Sequence, residues 1–120
     1  ARDEPRSGDE DDDDLLCASC GHRITREVHR VVVNAQHEHR FVNPGGFDYH
    51  IGCFAVAPGC VYLGATERYF TWFSGTSWQI AACARCRIQL GWIYRGGGES
   101  FHGLILDRLR PRASRGTDGP

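Results

Sequence analysis

The chain has 120 residues and 13.4 kDa, room for one ordinary domain, and 41% of it is hydrophobic, enough for a core. No apolar run reaches the ~20 residues of a membrane-spanning helix, and the opening ARDEPRSGDEDDDD lacks the apolar stretch of a secretory signal, so the expected location is the cytoplasm. The net charge of -1 hides an asymmetry: residues 1–14 carry 8 of the 15 acidic residues, leaving residues 15–120 at +5. All 14 Lys-or-Arg positions are Arg, which reads as the codon bias of a GC-rich genome.

Like charges in a block repel and stay solvated, so residues 1–14 are predicted to be an acidic disordered tail. Residues 111–120 lack large apolar side chains and are predicted to be a second tail, which leaves residues 15–110 as the folded unit. Within it the apolar residues fall into short runs. Val28 and Val31–Val33 come first, and then His37–Val42, which ends at the turn Asn43-Pro44-Gly45-Gly46. Phe47–Ile51 and Cys53–Val56 precede Pro58-Gly59, and a further run starts at Cys60. Tyr69–Phe73 stands before Ser74-Gly75-Thr76, followed by Trp78–Ala82, Ile88–Tyr94 and Phe101–Leu106. Runs of this length with turn residues between them predict an all-β domain. The weak exception is Leu104–Leu109, which could form a short helix but is predicted as strand in its first half.

Four of the six cysteines form two CxxC units, Cys17–Cys20 and Cys83–Cys86. Two such units supply the four thiolates of a closed tetrahedral zinc site. Gly21 suits the left-handed position that follows a CxxC knuckle, whereas Arg87 suits it less well. A disulfide framework needs an oxidising compartment, and a redox CxxC needs a βαβ setting; neither is indicated. Because 62 residues separate Cys20 from Cys83, the metal is expected to join the two ends of a whole domain. Cys53 and Cys60 are expected to be buried hydrophobes.

Trp72, Trp78 and Trp92 fall within 21 residues. A hairpin centred on Gly75 places Trp72 opposite Trp78, and one folded about the Cys83–Cys86 knuckle places Trp92 opposite Trp78. Phe70 and Tyr94 then share that face. Three indole N–H donors are hard to satisfy in a sealed core, and the neighbours Thr71, Ser74, Gly75, Thr76, Ser77 and Gly91 are small or polar, so an open aromatic pocket competes with a plain core.

CASCG, FVNPGGF, FTWFSGTSW, CARC, GWIY and LDRL, in this order and spacing, resemble the CULT domain. This is the thalidomide-binding domain of cereblon, which also occurs as single-domain bacterial proteins. The likeness runs from about Leu15 to Leu109. It implies a β-tent: two antiparallel sheets at a steep angle, pinned by one zinc ion on Cys17, Cys20, Cys83 and Cys86. It also implies a cage with Trp72, Trp78 and Trp92 as walls and Tyr94 as floor. The backbone of Phe70 and Trp72 would grip a cyclic imide, and Asn43, beside Pro44, would reach a carbonyl of the ligand. Thr71 replaces the usual Ser, adding a methyl expected beside the imide edge. The implied ligands are glutarimide, thalidomide-type and uracil-like rings, and peptides ending in a cyclic imide. The regions that dock cereblon to its ubiquitin ligase have no counterpart here, so a ligase-receptor role does not carry over.

Two other functions compete with this reading. A methionine sulfoxide reductase of the B type, which shares the tent-like fold and paired CxxC units, needs a nucleophilic Cys near the C-terminal end, and none follows Cys86. A nucleic-acid-binding zinc module is motivated by the +5 core and by Arg108, Arg110, Arg112 and Arg115. His37 and His39 lack a third ligand and are expected on a polar strand face. With no nucleophile placed beside a base, the reading is a binding protein rather than an enzyme.

Overall fold

The structure, a computed structural model, describes residues 13–112. Its strands are β1 (Asp14–Cys17), β2 (Arg23–Arg26), β3 (Glu38–Val42), β4 (Asp48–Phe54), β5 (Cys60–Glu67), β6 (Ser77–Cys83), β7 (Gln89–Gly96), β8 (Glu99–Ile105) and β9 (Leu109–Pro111). They form two antiparallel sheets, three-stranded β2-β1-β9 and six-stranded β3-β4-β8-β7-β6-β5. The all-β, two-sheet architecture is therefore as expected. No helix among the described residues is long and apolar enough to cross a membrane.

Successive side chains in a strand point to opposite faces, so a sheet with apolar residues at adjacent positions can build two cores. The six-stranded sheet does this. Phe54, Cys83 and Leu104 meet Leu15, Cys17 and Ile24 of the small sheet in one cluster. Their neighbours Cys53 and Ile105, together with Ile51 and Tyr94, belong to a second cluster with Phe73. The two sheets touch at Gly59, where an added Cβ would fall 2.1 Å from the Arg23 carbonyl oxygen. The Gly59 amide donates to the Ile24 carbonyl and its carbonyl accepts from Ala84, so this glycine links β2 to the second CxxC turn.

Three expectations are corrected. First, the folded unit begins before Leu15. Asp14 is the first residue of β1, with a fully buried carboxylate that accepts from Arg112 at 2.8 Å and faces Arg23 at 3.5 Å. A buried carboxylate needs such partners, and they hold the two ends of the described chain together. β9 runs to Pro111, and of the tails predicted at 1–14 and 111–120, residues 1–12 and 113–120 lie outside the described residues.

Second, the valine run is not a strand. Glu27–His29 form a 3-10 turn, and Arg30 and Val33 make only isolated bridges. Asn34 and Ala35 have φ of 52° and 74° and close a two-residue turn between Val33 and Gln36. This segment is braced by the two histidines expected on a polar face. His37 Nδ1 lies 3.1 Å from the Val31 carbonyl, and buried His39 holds the Val33 and Gln36 carbonyls through Nε2. Third, Tyr69–Phe73 is a loop. The strand predicted to end at Leu106 stops at Ile105, and Leu106–Arg108 form the short helical turn.

Candidate functional site

Both CxxC units fold by the same hydrogen bonds. The Gly21 amide donates to the Cys17 carbonyl at 2.8 Å and the Arg87 amide to the Cys83 carbonyl at 2.9 Å. The Cys17 amide reaches the His22 carbonyl, and the Cys83 amide the Ile88 carbonyl. Gly21 (φ 83°) and Arg87 (φ 70°) thus occupy equivalent left-handed positions. For Arg87 that conformation costs about 1–2 kcal/mol, which a glycine avoids. Arg87→Gly is expected to raise stability by about 0.5–1 kcal/mol, seen as a melting temperature a few degrees higher. An unchanged or lower value would show that the arginine is held there by a contact outweighing the strain.

The four sulfurs lie within 4.8 Å of one another. Cys17 and Cys86 are 3.7 Å apart and Cys20 and Cys83 3.6 Å. A disulfide needs about 2.05 Å, whereas a tetrahedron with metal–sulfur bonds of about 2.3 Å has edges near 3.8 Å. The thiols also cannot all ionise unaided. Burial pushes Cys17 up to about 11. Burial raises Cys83 as well, but the Cys86 and Arg85 amides and the Cys20 and Cys86 side chains overcome it and bring that thiol down to about 7. One thiolate eased and its neighbour suppressed is what close sulfurs do until a cation neutralises them. The cluster fits one tetrahedral metal ion. Cys17 ends β1 and Cys83 ends β6, so the ion would tie the small sheet to the large one.

The other two cysteines stay outside this set. Burial raises Cys53 and Cys60 to about 12, so neither offers a nucleophilic thiolate at neutral pH.

The aromatic residues gather on the opposite face of the six-stranded sheet, by a route different from the two predicted hairpins. Trp78 pairs with Tyr94, and Trp92 with Ile80. The turn is centred between Arg85 and Cys86, one step from the predicted register, and a bulge between Ala81 and Ala82 adds a second, so Trp92 is displaced from Trp78 by two residues, which preserves the face because side chains alternate with period two. Trp72 lies in no strand; the β5 residue paired with Trp78 is Glu67. Instead the 68–76 loop folds over the sheet and drives Phe73 into the core. The Phe73 ring is 2% exposed and meets His39, Phe41, Tyr94 and Phe101 at centroid distances of 4.8–5.4 Å. That anchor brings Trp72 to Trp92, edge to face at 4.9 Å and 78°. The indole N–H of Trp78 donates to the Tyr69 carbonyl at 2.7 Å, tying the other end of the loop to β6.

Between these rings lies an open cleft of about 270 Å³ lined by Asn43, Pro44, Phe70, Trp72, Trp78, Trp92 and Tyr94. It is just below the usual range of ~300–1,000 Å³ for ligand pockets, a size for one small ring. Phe70 has φ of 58°, a strained conformation for an aromatic residue, at the cleft wall. Among the described residues no hydrogen bond pairs the backbone groups of Phe70 or Trp72. Asn43 accepts the Phe47 amide through Oδ1 at 2.9 Å, which fixes its amide orientation and leaves Nδ2 as a donor. Burial holds the Tyr94 phenol far above its ordinary pKa, so the floor is neutral.

Thr71 is not a cleft wall. Its hydroxyl lies 2.7 Å from that of Thr76, which donates to the Phe73 carbonyl at 2.6 Å. The side chain braces the loop from within, and the extra methyl does not narrow the cleft.

Two residues that shape the cage escaped the sequence reading. Phe41 stacks on Trp72 at 4.8 Å and 9°, and Tyr49 meets Trp92 edge-on at 5.4 Å. They pair across β3 and β4, symmetrically about Gly45 in the NPGG turn, so the register arithmetic used for the tryptophans finds them too. The chain matches no family model and no curated protein.

Proposed function

We propose that this chain is a CULT-type domain that binds cyclic imides in its aromatic cleft and carries a structural zinc ion on Cys17, Cys20, Cys83 and Cys86. The observation that supports the binding reading most is convergence. Seven of the eight ligand-contacting positions implied by the resemblance, distant in sequence, line one open cleft. A cyclic imide is flat and neutral, with one N–H between two carbonyls. Its faces suit the indoles, and its polar edge suits the unpaired backbone groups of Phe70 and Trp72 and the Asn43 Nδ2. Among the described residues no carboxylate, imidazole, aliphatic hydroxyl or thiol lines the cleft, and burial keeps its one phenol, that of Tyr94, protonated, which favours holding a ligand over transforming one.

A glutarimide ring has eight heavy atoms, and at ~0.7 kcal/mol per atom its Kd falls at roughly 20–200 μM. Titration with glutarimide, thalidomide and uracil, followed by tryptophan fluorescence, tests the reading. Saturable quenching by the imides, weaker with uracil, is expected. A flat response to millimolar glutarimide would overturn it. Metal analysis of the purified protein is expected to give one zinc ion per chain.

A further inference from the structure

We propose that the outer face of the small sheet is a docking surface for the acidic segment Asp9–Asp12 of this same chain. The surface follows from the strand register. Leu15 and Cys17 face the core between the two sheets, so by alternation Asp14 and Leu16 point outward. Residues directly opposite one another on paired strands share a face. Arg26 on β2 therefore joins Asp14, while Arg23 on β2 and Arg110 on β9 flank Leu16 from both sides. Arg112, just past β9, reaches the same face through its ion pair with Asp14. Three short strands thus present four guanidiniums on one side.

Continuity and charge identify the occupant. Asp13 and Asp14 end the acidic run that starts at Asp9, and both already sit on this face. Asp13 Oδ1 accepts from Arg26 Nε at 2.8 Å, and Asp14 Oδ2 accepts from Arg112 at 2.8 Å. Like charges in a run repel, so each further carboxylate brought to the face must meet a cation. Arg23 and Arg110 offer two. The Arg23 side chain is 52% exposed and approaches Asp14 only to 3.5 Å. Arg110 is exposed, its guanidinium 3.2 Å from where a Cβ at Gly21 would stand, and no ion pair engages it among the described residues. Leu16, which these two flank, is about 7 Å along β1 from Asp14, a span that four residues doubling back over the strand cover. Exposed ion pairs are individually weak, but a tethered segment meets them at an effective concentration of about millimolar. The overall balance agrees. Residues 13–112 hold 11 Arg against 8 Asp and Glu, whereas residues 9–12 are four acids with no Arg.

Amide NMR spectra of the full chain test this. The first variant is Asp9→Asn/Glu10→Gln/Asp11→Asn/Asp12→Asn, which leaves Asp13 and Asp14 in place. At low salt its amide shifts should differ from the parent's at Leu16, Arg23 and Arg110, and the difference should disappear in ~1 M salt, where the screening length is about 3 Å. Unchanged amides at Trp72 and Trp92, in the distant cleft, report an intact fold. Differences confined to residues 8–14, or centred on Arg85 and Arg87 of the second CxxC turn, would overturn the proposal. The second variant is Arg23→Gln/Arg110→Gln. It should move the amides of residues 9–12 to the positions they take in ~1 M salt, and Arg110→Gln alone, which spares every partner of Asp14, should move them part of the way. Arg85→Gln/Arg87→Gln removes the same charge elsewhere and should leave them where they are. Residues 9–12 unmoved in the second variant, or moved equally by the control, would show that no specific face is used. Shifts that grow with protein concentration would assign the face to a second copy of the chain and overturn the proposal as well.

Discussion

Removing the metal is expected to unfold the protein. Structural zinc contributes about 10–16 kcal/mol to small domains, as much as the whole stability of a domain of this size. Here the cluster lies at the junction of the two sheets, with Cys17 closing β1 and Cys83 closing β6. A strong chelator should abolish the cooperative melt and the near-ultraviolet dichroism of the three tryptophans, and restored zinc should recover both. Cys86→Ser isolates the effect, because Cys86 is exposed and its loss removes little packing. It should weaken metal binding severely and bring down the melting temperature. Acid acts in the same direction. With Cys17 raised to about 11 and Cys83 at about 7, below pH 7 the metal must displace a proton from both of these ligands. Affinity, and the stability it confers, therefore falls as pH drops from 7 towards 5. A chelated protein with an unchanged melt would show that the two hydrophobic clusters suffice without the ion.

The metal site was legible because it is local in a specific sense. Each CxxC turn is set by four residues, and the pairing of two turns follows from the chemistry of thiolates whatever lies between them. Even so, Arg87 was underrated: the turn imposes its left-handed φ on whichever residue occupies that position, and the ligand set outweighs the strain. The strands of β3 to β8 were legible from alternation and turn residues. The Val28–Val33 run shows the limit of such a signal. A β-branched run forms a strand only where a ladder of partners is available, and here this segment gets isolated bridges and two histidine braces. Asp14 shows another limit. As one member of an acidic run it reads as solvated, and it is the guanidiniums of the distant Arg112 and of Arg23 and Arg26 that offset its burial.

The 68–76 loop is the part that sequence reasoning placed in the wrong structure yet the right place. Its alternating aromatics fit a strand, but Phe73 buries better beneath the sheet's far face, among four other rings, than in a ladder. Tertiary packing overrode local pattern, as β-propensity generally allows. Trp72 still arrived beside Trp92 because the residue next to the anchor has little freedom.

This double attachment makes Trp78 the residue whose loss should cost binding most. Its indole is a wall of the cleft, and its N–H also holds the Tyr69 carbonyl, one residue from the strained Phe70 that lines the same cleft. Trp78→Ala removes both the wall and the tether. Buried tryptophan contacts at recognition sites are worth about 2 kcal/mol or more, so imide binding should weaken at least 30-fold. The fold should persist, because Trp78 is only half-buried and the Phe73 anchor is untouched. Trp78→Phe separates the two roles. It keeps an aromatic face but leaves the Tyr69 carbonyl without its donor, so affinity should fall by an intermediate factor, about 5- to 10-fold. If Trp78→Phe binds like the parent, the ring face carries the effect and the tether contributes nothing. If it binds as poorly as Trp78→Ala, the tether dominates, and the cleft depends chiefly on how firmly the loop is held against β6.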